Sequence, residues 1–399
     1  MKKDKILFVV QRYGMEVNGG AEYHCRVLAE HLLVRYEVDV FTSCARDYTP
    51  WDNYYPEGMS VLNGVVVHRF AVERIKDEAR MRELSASVDR GIEGAQTEWI
   101  EEVGPCCPKL ITALKDGGKL YKAVIFIGYA FYPTIMGLQL ELEHTILIPT
   151  AHDESNIYKN IYRKIFQSAK AFLYNSVEEK RFLINMFDIG DKPGRMTCVG
   201  IDLPAVSSLK LPKEYEQYQN YVIYVGRVSR GKNFRQLNRY FIQYKKEHET
   251  DLKLLVIGRV DNEEKLAYHD DIIYLGYVPE EEKTIFIRNA RLLIMPSQYE
   301  SLSLVILESM ALGRPVLVNG DCEVLRGQCI RSNAGLYYSS YTEFEKALDY
   351  MLTDSEAYAQ MAENGLGFVR NNYSWQYVVD NVSSLIDEIG KDKEGEMVI

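Results

Sequence analysis

The sequence predicts two doubly wound α/β domains in one chain. A strand, glycine loop, helix and second strand open the chain, and a second series of strands separated by helices begins near residue 221. The chain has 399 residues, which is too long for one ordinary domain and suits two. For such an architecture we expect the ligand in an interdomain cleft.

The first series opens with a short apolar run at Lys5–Val10, which predicts a buried strand, and a glycine-rich turn follows at Asn18–Glu22. Apolar residues at helical spacing predict a helix over Tyr23–Val34, and alternation predicts a strand over Tyr36–Thr42. The charged segment Glu73–Val103 is predicted to be helical. Four further strands are expected at Val65–Phe70, Ala123–Ile127, Thr145–Ile148 and Ala171–Asn175.

The second series is predicted to follow a linker at Leu203–Asn220, which is rich in Pro, Ser, Lys and Glu. We therefore expect one domain over 1–203 and another over 204–374. An amphipathic helix at about 375–390 is expected to pack back on the first domain, before a frayed tail. Five strands are expected in this series, at Tyr221–Val225, Leu252–Ile257, Ile272–Leu275, Arg291–Met295 and Pro315–Val318.

Bulk composition excludes several classes of function. The formal net charge of −10 argues against broad nucleic-acid binding, which needs a basic surface. The seven cysteines contain no C-x-x-C pair, so zinc and dithiol chemistry have little support. The first apolar run is too short for a signal peptide or a membrane span. We expect a reduced, cytoplasmic protein, and the sequence does not indicate its oligomeric state.

The stretch Tyr299–Val318 places two glutamates eight positions apart in an apolar run, where an unpaired carboxylate is costly. Leu304–Leu312 has the length and apolar density of a buried helix, and Gly313 suits the position just past its end. Ser301 or Ser303 is expected to cap its start.

Glu300 then lies on the loop before this helix, and Glu308 lies inside it. A helix start at the carboxyl end of a parallel strand is a natural anion site, where serine hydroxyls can also meet phosphate oxygens. Carboxylates accept hydrogen bonds from hydroxyls, so the implied ligand carries phosphate and sugar hydroxyls, as a nucleotide sugar does. The structural alternative is that Glu300 caps a loop and Glu308 pairs with an arginine.

Two cations follow the strand Tyr221–Val225 on a turn that leads into a helix. Arg227 and Lys232 would complement a diphosphate there, or they are solvated surface charges. A nicotinamide-dependent oxidoreductase is excluded, because no G-x-G-x-x-G with an acidic partner follows the first strand.

Taken in order, these motifs resemble a known family. Gly226-Arg227 followed by Lys232, Glu300-x7-Glu308 and then Gly-x-Pro-Val from Gly313 is similar to the signature of retaining glycosyltransferases of the GT-B fold, group 1, also called family 4. Three further segments resemble that family's glycine loop, its histidine after a strand, and its Asn-Gly-Val-Asp turn: Gly19–Glu22, His152-Asp153 and Gly200–Asp202. The resemblance spans nearly the whole chain and implies two Rossmann-like domains.

The resemblance implies transfer of a sugar from a nucleotide-sugar donor to a hydroxyl acceptor, with retained anomeric configuration, in cell-surface glycan or glycolipid synthesis. By this resemblance Arg227 and Lys232 hold the donor diphosphate, and Glu308 binds the ribose. His152 and Glu300 contact the donor sugar, and these two with Arg227 and Lys232 are the implied catalytic residues. The other implied donor contacts are Gly19, Gly20, Tyr277, Val278, Ser301, Leu302, Ser303 and Leu304.

The chain also departs from the family. Glu300-Ser-Leu-Ser-Leu304 stands where the family commonly has Glu-Gly-Phe-Gly-Leu, so side chains replace bare backbone at the implied sugar contact. This favours, as the alternative, a non-catalytic nucleotide-sugar-binding protein of the same fold. No Asp-x-Asp pair is present, so we predict neither a metal nor any cofactor beyond the nucleotide sugar as co-substrate.

Two weaker features bear on the acceptor, which by resemblance is a glycan or a lipid-linked sugar. The aromatic loop Asp47–Tyr55 would line an acceptor site, or it is a packed surface loop. The segment Ile157–Phe166 mixes apolar and basic residues at helical spacing. It would make peripheral contact with the inner face of a membrane, or it is a helix packed on the sheet.

Overall fold

A computed structural model describes residues 3–17, 19–196, 199–202, 211, 213–261 and 266–390. The chain divides into two compact units: unit 1 is Met1–Gly200 with Trp375–Ile399, and unit 2 is Ile201–Ser374. The expected boundary at 203/204 thus falls at 200/201. Half of the expected linker, at 203–210 and 212, and the expected tail at 391–399 lie outside the described residues.

The described residues of unit 1 form an eight-stranded sheet with the order β3-β4-β2-β1-β5-β6-β7-β8. Every neighbouring pair is parallel except β3 and β4. From β1 the chain first builds the sheet to one side and then to the other, which is the doubly wound topology. The strands are β1 (Lys5–Val9), β2 (Glu37–Ser43), β3 (Gly58–Leu62), β4 (Val65–Phe70), β5 (Ala123–Ile127), β6 (Thr145–Ile148), β7 (Ala171–Tyr174) and β8 (Gly194–Met196).

Helices cover both faces of this sheet, because its central strands are apolar on both sides. Along β1, Ile6 and Phe8 join one buried cluster while Leu7 and Val9 join the other. The amphipathic helix that ends the described chain, Trp375–Gly390, packs in the first cluster. The other helices of unit 1 are α1 (Gly20–Leu32), α2 (Glu78–Asp89), α3 (Ala95–Val103), α4 (Pro108–Gly117), α5 (Tyr132–Leu138), α6 (Asn160–Ser168) and α7 (Val177–Phe187).

The described residues of unit 2 form a six-stranded parallel sheet with the order β11-β10-β9-β12-β13-β14. Its strands are β9 (Tyr221–Val225), β10 (Lys253–Ile257), β11 (Ile272–Gly276), β12 (Leu293–Met295), β13 (Val316–Asn319) and β14 (Gly335–Tyr338). Its helices are α8 (Phe234–Glu247), α9 (Glu280–Asn289), α10 (Leu304–Ala311), α11 (Glu323–Ser332), α12 (Tyr341–Thr353) and α13 (Ser355–Asn372). The helix that follows them in the chain, α14 (Trp375–Gly390), belongs to unit 1.

The structure confirms the predicted fold class and adds elements that the pattern did not indicate. The unpredicted strands are β3, β8 and β14, which all lie at sheet edges. The single helical segment expected over Glu73–Val103 is two helices, α2 and α3, with a break at 90–94. No helix in the described part of the chain is long and apolar enough to span a membrane.

Candidate functional site

In unit 2, the predicted residues gather at the carboxyl ends of β9 and β12. These adjacent strands flank the switch point of the doubly wound sheet, where such folds bind their ligands. Lys232 follows β9 and Glu300 follows β12, and Lys232 Nζ lies 2.6 Å from Glu300 Oε1. The two side chains are 32% and 12% exposed, so a ligand can reach both. Arg227 lies exposed on the same loop as Lys232, and within the described residues no carboxylate pairs with it.

The start of α10 differs from the prediction that Ser301 or Ser303 caps it. Ser303 occupies the capping position, but its backbone is left-handed (φ 68°) and its side chain makes no capping hydrogen bond. A cap needs an extended backbone that turns the hydroxyl back onto the first turn. The N–H groups that open α10 therefore receive no capping hydrogen bond from Ser303. Of the neighbouring residues implied as donor contacts, Ser301 and Leu304 are half-buried and Leu302 is buried.

Three amide side chains that the motif analysis did not single out hold the loop between β12 and α10. Asn233 and Asn319 donate to the carbonyl of Pro296 at 3.2 and 3.1 Å. Gln328, which is fully buried on α11, donates to the carbonyl of Leu302 at 2.6 Å. These bonds position the segment that carries Glu300. Only the three-dimensional structure brings them together, since the three amides come from separate parts of the sequence.

Glu308 pairs with a lysine, and not with the arginine that the structural alternative expected. Lys283 Nζ on α9 lies 2.9 Å from Glu308 Oε2 and 2.6 Å from Glu280 Oε2. Burial lowers the pKa of Lys283, but the two carboxylates outweigh this effect and raise it above its usual range. The Glu308 side chain keeps 20% of its surface exposed, so it remains able to accept a further hydrogen bond.

The segment implied to cradle the base follows β11. Gly276 has a left-handed backbone (φ 69°) and accepts a hydrogen bond from the N–H of Gly258 at 2.8 Å. After this turn Tyr277 is 72% exposed while Val278 is buried. Tyr277 thus offers a free aromatic face at the same edge of the sheet.

In unit 1, the two glycines of the glycine loop, Gly19 and Gly20, differ in their surroundings. A Cβ at Gly19 would overlap the Glu22 carboxylate, which forms a buried ion pair with Arg12 (Nε to Oε1, 2.9 Å). A Cβ at Gly20, the first residue of α1, would meet nothing within 4 Å. Gly19 is therefore required by internal packing, whereas Gly20 leaves open space at a helix start, where a ligand can approach the backbone.

His152 lies on the loop after β6, with one carboxylate near its ring and another bonded to the backbone of the residue before it. Its Nε2 is 3.6 Å from Glu154 Oε2, and Glu154 Oε1 accepts a hydrogen bond from the Tyr129 hydroxyl at 2.7 Å. The buried Glu179 accepts the backbone N–H of Ala151, next to His152, at 2.6 Å. Burial raises the pKa of Glu179 to about 8, against backbone hydrogen bonds that lower it. Sequence reasoning missed Glu179, although Ser176-x-x-Glu179 matches the capping-box pattern and the Ser176 hydroxyl caps α7 by accepting the N–H of Glu179.

The two weaker sequence features are resolved in part. Trp51 is fully buried and donates to the carbonyl of Val103 at 2.9 Å, so it belongs to the core, while Tyr48 and Tyr54 stay exposed. In α6, Ile161 and Phe166 lie in a buried cluster. The apolar side of that helix is thus packed on the sheet and is not available to a membrane.

The fold and these residues define the class of the protein: an α/β chain with two Rossmann-like parallel-sheet units, matching structures of the GT-B fold. The model of the family Glycosyl transferases group 1 matches residues 210–367, which include Arg227, Lys232, Glu300 and Glu308. The matched segment is 158 of the 399 residues and lies within unit 2.

Named relatives are similar in sequence to part of the chain. O-antigen chain mannosyltransferase B of Escherichia coli is 28% identical over 232 residues, covering 51% of this chain and 58% of that protein. Alpha-D-kanosaminyltransferase of Streptomyces kanamyceticus is 27% identical over 184 residues, covering 42% of this chain and 46% of that protein. The chain spans about half the length of the curated relatives it matches.

Solved structures resemble the chain over nearly its whole length. Sucrose-phosphate synthase from Thermosynechococcus elongatus has a TM-score of 0.72 at 18% identity and covers 97% of this chain and 99% of its own. The lipopolysaccharide glycosyltransferase WaaG has a TM-score of 0.61 at 15% identity, with coverages of 97% and 98%. A trehalose-6-phosphate structure from E. coli with bound UDP-2-fluoro glucose has a TM-score of 0.71 at 12% identity, with coverages of 96% and 99%. At these identities the likeness shows the fold.

Proposed function

We propose that the protein is a retaining glycosyltransferase that moves a sugar from a nucleotide-sugar donor to a hydroxyl acceptor. The observation that carries this proposal is the arrangement at the switch point of unit 2. There an exposed cation, Arg227, and the Lys232–Glu300 pair lie with the start of α10, which has no side-chain cap. This set combines donors for phosphate oxygens with a carboxylate for sugar hydroxyls.

The donor diphosphate binds the cations of unit 2. Negative charge grows on the diphosphate as the bond to the sugar breaks, so Arg227, Lys232 and the N–H groups opening α10 stabilise the transition state more than the bound substrate. When phosphate oxygens take over Lys232, the Glu300 carboxylate is released to accept hydrogen bonds from the donor sugar. The pair thereby keeps each charge compensated before the ligand arrives.

The nucleoside binds beside α10. Glu308 accepts hydrogen bonds from the ribose hydroxyls through its exposed surface, while Lys283 pairs with the other side of the carboxylate. Tyr277 and Val278 contact the base. In unit 1, the open backbone at Gly20 approaches the donor with Gly19, and His152 bonds the sugar.

The names of relatives support a class of acceptor. The matched proteins include an O-antigen mannosyltransferase and a glycosyltransferase of capsular polysaccharide biosynthesis from Staphylococcus aureus. We propose a growing cell-surface glycan or glycolipid as the acceptor. A uridine nucleotide is the first donor to test, because the bound ligands of two structural neighbours contain UDP. We place the activity in the cytoplasm, since the six cysteines of the described ranges are all buried free thiols.

The second candidate is a protein that binds nucleotide sugars without turning them over. The side chains of Ser301 and Ser303, where the family commonly has glycine, favour it. The melting temperature of the protein is measured with each member of a panel of nucleotide sugars, and we expect the correct donor to raise it. That donor is then incubated with the protein, and the nucleoside diphosphate that is released is measured. Stabilisation with release supports the transferase. Stabilisation without release, even with candidate acceptors present, supports the binding protein and overturns our proposal.

A further inference from the structure

Lys76, on the loop after β4, is a buried cation without an anionic partner. The residue is 6% exposed, and its Nζ lies 4.0 Å from the centre of the Tyr48 ring. Its backbone N–H is bonded to the carbonyl of Pro50 at 2.8 Å, which fixes the loop. Within the described residues Nζ forms no hydrogen bond and no ion pair, and the Tyr48 ring is its recorded contact. Burial lowers the pKa of Lys76, which shows that the ammonium is held at a cost.

The other cations on the loops after β1, β2 and β4 behave differently. In the described parts of these loops, Arg12 pairs with Glu22 at 2.9 Å, Arg46 with Asp47 at 2.8 Å, and Arg74 with Glu101 at 3.0 Å. Lys76 is the cation there that meets only an aromatic ring. Such a contact recovers less free energy than a desolvated charge can cost.

The carboxylates whose charges act on Lys76 are engaged elsewhere. Glu78 accepts a hydrogen bond from the Thr49 hydroxyl at 3.3 Å. Glu102 is buried, where it accepts the backbone N–H of Asp77 at 2.5 Å and lies 3.6 Å from an Arg74 nitrogen. Both carboxylates are thus engaged by other groups, and neither serves as the ion-pair partner of the ammonium.

The location connects this cation to the proposed reaction. Loops that follow parallel strands meet at one edge of the sheet. The ring of Tyr48, which is 43% exposed, lies 5.9 Å from that of Phe131 on the loop after β5. The charge of Glu154, the carboxylate beside His152, acts on the Tyr48 hydroxyl. Lys76 and Tyr48 therefore lie at the same edge of unit 1 as the histidine assigned to the donor sugar.

We propose that Lys76 and Tyr48 form an acceptor subsite in unit 1, which takes an anionic group, a phosphate or a carboxylate, carried by the acceptor sugar. The inference rests on the proposed function, because it gives the class of acceptor that the transferase uses. Lys76 Nζ donates to the anion, and the exposed part of the Tyr48 ring contacts the sugar. The ammonium gains the partner that the chain itself does not supply.

The test compares three sugars that differ in charge. Glucose, glucose 6-phosphate and glucuronate are titrated into the full chain at constant ionic strength, and binding is followed by isothermal calorimetry. We expect one or both anionic sugars to bind at least about 10-fold more tightly than glucose, the worth of one charge-assisted hydrogen bond. The anion that binds more tightly identifies phosphate or carboxylate as the group recognised.

Substitutions assign the effect to Lys76. Lys76→Met keeps the length and apolar packing of the side chain and should abolish the preference for the anionic sugar, while Lys76→Arg should retain most of it. Lys109→Met, which removes a more exposed lysine paired with Glu57 on the same unit, is the matched control and should leave the preference unchanged. Circular dichroism before each titration confirms that the variants are folded.

Equal affinities for the three sugars, no binding of any of them, or a preference that survives Lys76→Met in a folded variant would each overturn the subsite. Titration of UDP into the unaltered chain separates this failure from failure of the proposed function. A chain that binds UDP but does not distinguish the sugars keeps its donor site and loses only the subsite.

Discussion

At the scale of single residues, the two glutamates of the Glu300-x7-Glu308 motif are each matched by a lysine from another element. Lys232 comes from the loop after β9, and Lys283 comes from α9. The free-energy cost of placing these carboxylates in apolar surroundings is offset, because each is paired with a lysine. Their remaining exposure is what distinguishes them from purely structural ion pairs.

Glu308→Ala should weaken the affinity for the nucleoside diphosphate by about 1.5–3 kcal/mol, because charge-assisted hydrogen bonds to the ribose are lost. Isothermal titration with the folded variant measures this. Glu280→Ala is the matched control, since Glu280 shares Lys283 but is 65% exposed. Unchanged affinity in Glu308→Ala, or an equal loss in both variants, would remove Glu308 from the site.

Replacing Arg227 or Lys232 with Ala should lower kcat/KM about 100-fold or more, since each removes a preorganised contact to the leaving diphosphate. Steady-state kinetics of donor consumption measure the change. Arg230→Ala, an exposed arginine on the same loop, should change kcat/KM little. If kcat/KM fell only a few-fold in both the Arg227 and the Lys232 variants, these residues would be ordinary surface charges and not contacts of the diphosphate.

His152→Ala should impair transfer more than nucleotide binding, because its proposed partner is the sugar. The affinities for the free nucleoside diphosphate and for the nucleotide sugar are compared in the same titration series. If the variant lost equal free energy for both ligands, the contact to the sugar would be wrong.

At the scale of elements, the loops after β6 and β7 are joined through one buried carboxylate. Glu179 in the first turn of α7 accepts the backbone N–H of Asn175 and that of Ala151, both at 2.6 Å. The first bond holds the residue before the N-cap of α7, and the second fixes the loop that carries His152. A local helix-start motif thus also positions a residue of the candidate site.

This carboxylate should make stability depend on pH. Because the folded-state pKa of Glu179 is raised to about 8 from an ordinary 4.5, its contribution is fully present below about pH 4.5 and is lost as pH rises to about 8. Between pH 5 and 8, the unfolding free energy from urea denaturation should therefore fall more steeply for the unaltered chain than for Glu179→Gln, whose side chain cannot lose a proton.

Glu178→Gln, the same substitution one position earlier in the helix, controls for the loss of a charge. Parallel stability profiles for the unaltered chain and Glu179→Gln would show that this carboxylate does not titrate in the window.

The buried strands were predictable because their apolar runs are short, continuous and bounded by turn residues, as Ala123–Ile127 shows. β3 was not, since its residues are almost all exposed and its pairing depends on β4 alone. The conformation of Ser303 also escaped prediction. Its backbone is left-handed and its hydroxyl makes no capping bond, whereas local propensity favoured an ordinary serine cap.

At the scale of the whole molecule, the two-unit organisation could be predicted from the repeated strand and helix pattern. The amphipathic pattern of α14 also predicted its return to unit 1, where Trp375 covers Gly200 so closely that a Cβ there would overlap the indole. The ion pairs were not predictable, because Lys283 and Lys232 meet their glutamates only through the order of strands in the sheet. The same holds for Lys76, which reaches Tyr48 across two loops.

The central claim is that the chain's own cations, and not a bound metal, stabilise the leaving diphosphate. Within the described residues, one group of histidine and acidic side chains lies close enough to hold a metal ion. It comprises Glu247, His248 and Glu345, none of which is a predicted donor contact. Arg227, Lys232 and the start of α10 supply positive potential without the dehydration that magnesium would require.

The most direct measurement is release of nucleoside diphosphate from the stabilising nucleotide sugar in excess EDTA. We predict a rate equal within about two-fold to the rate with added magnesium, since the electrostatic stabilisation comes from fixed side chains and a helix start. Release that is abolished by EDTA and restored by magnesium or manganese would contradict the account, because the metal would then carry the charge assigned to Arg227 and Lys232.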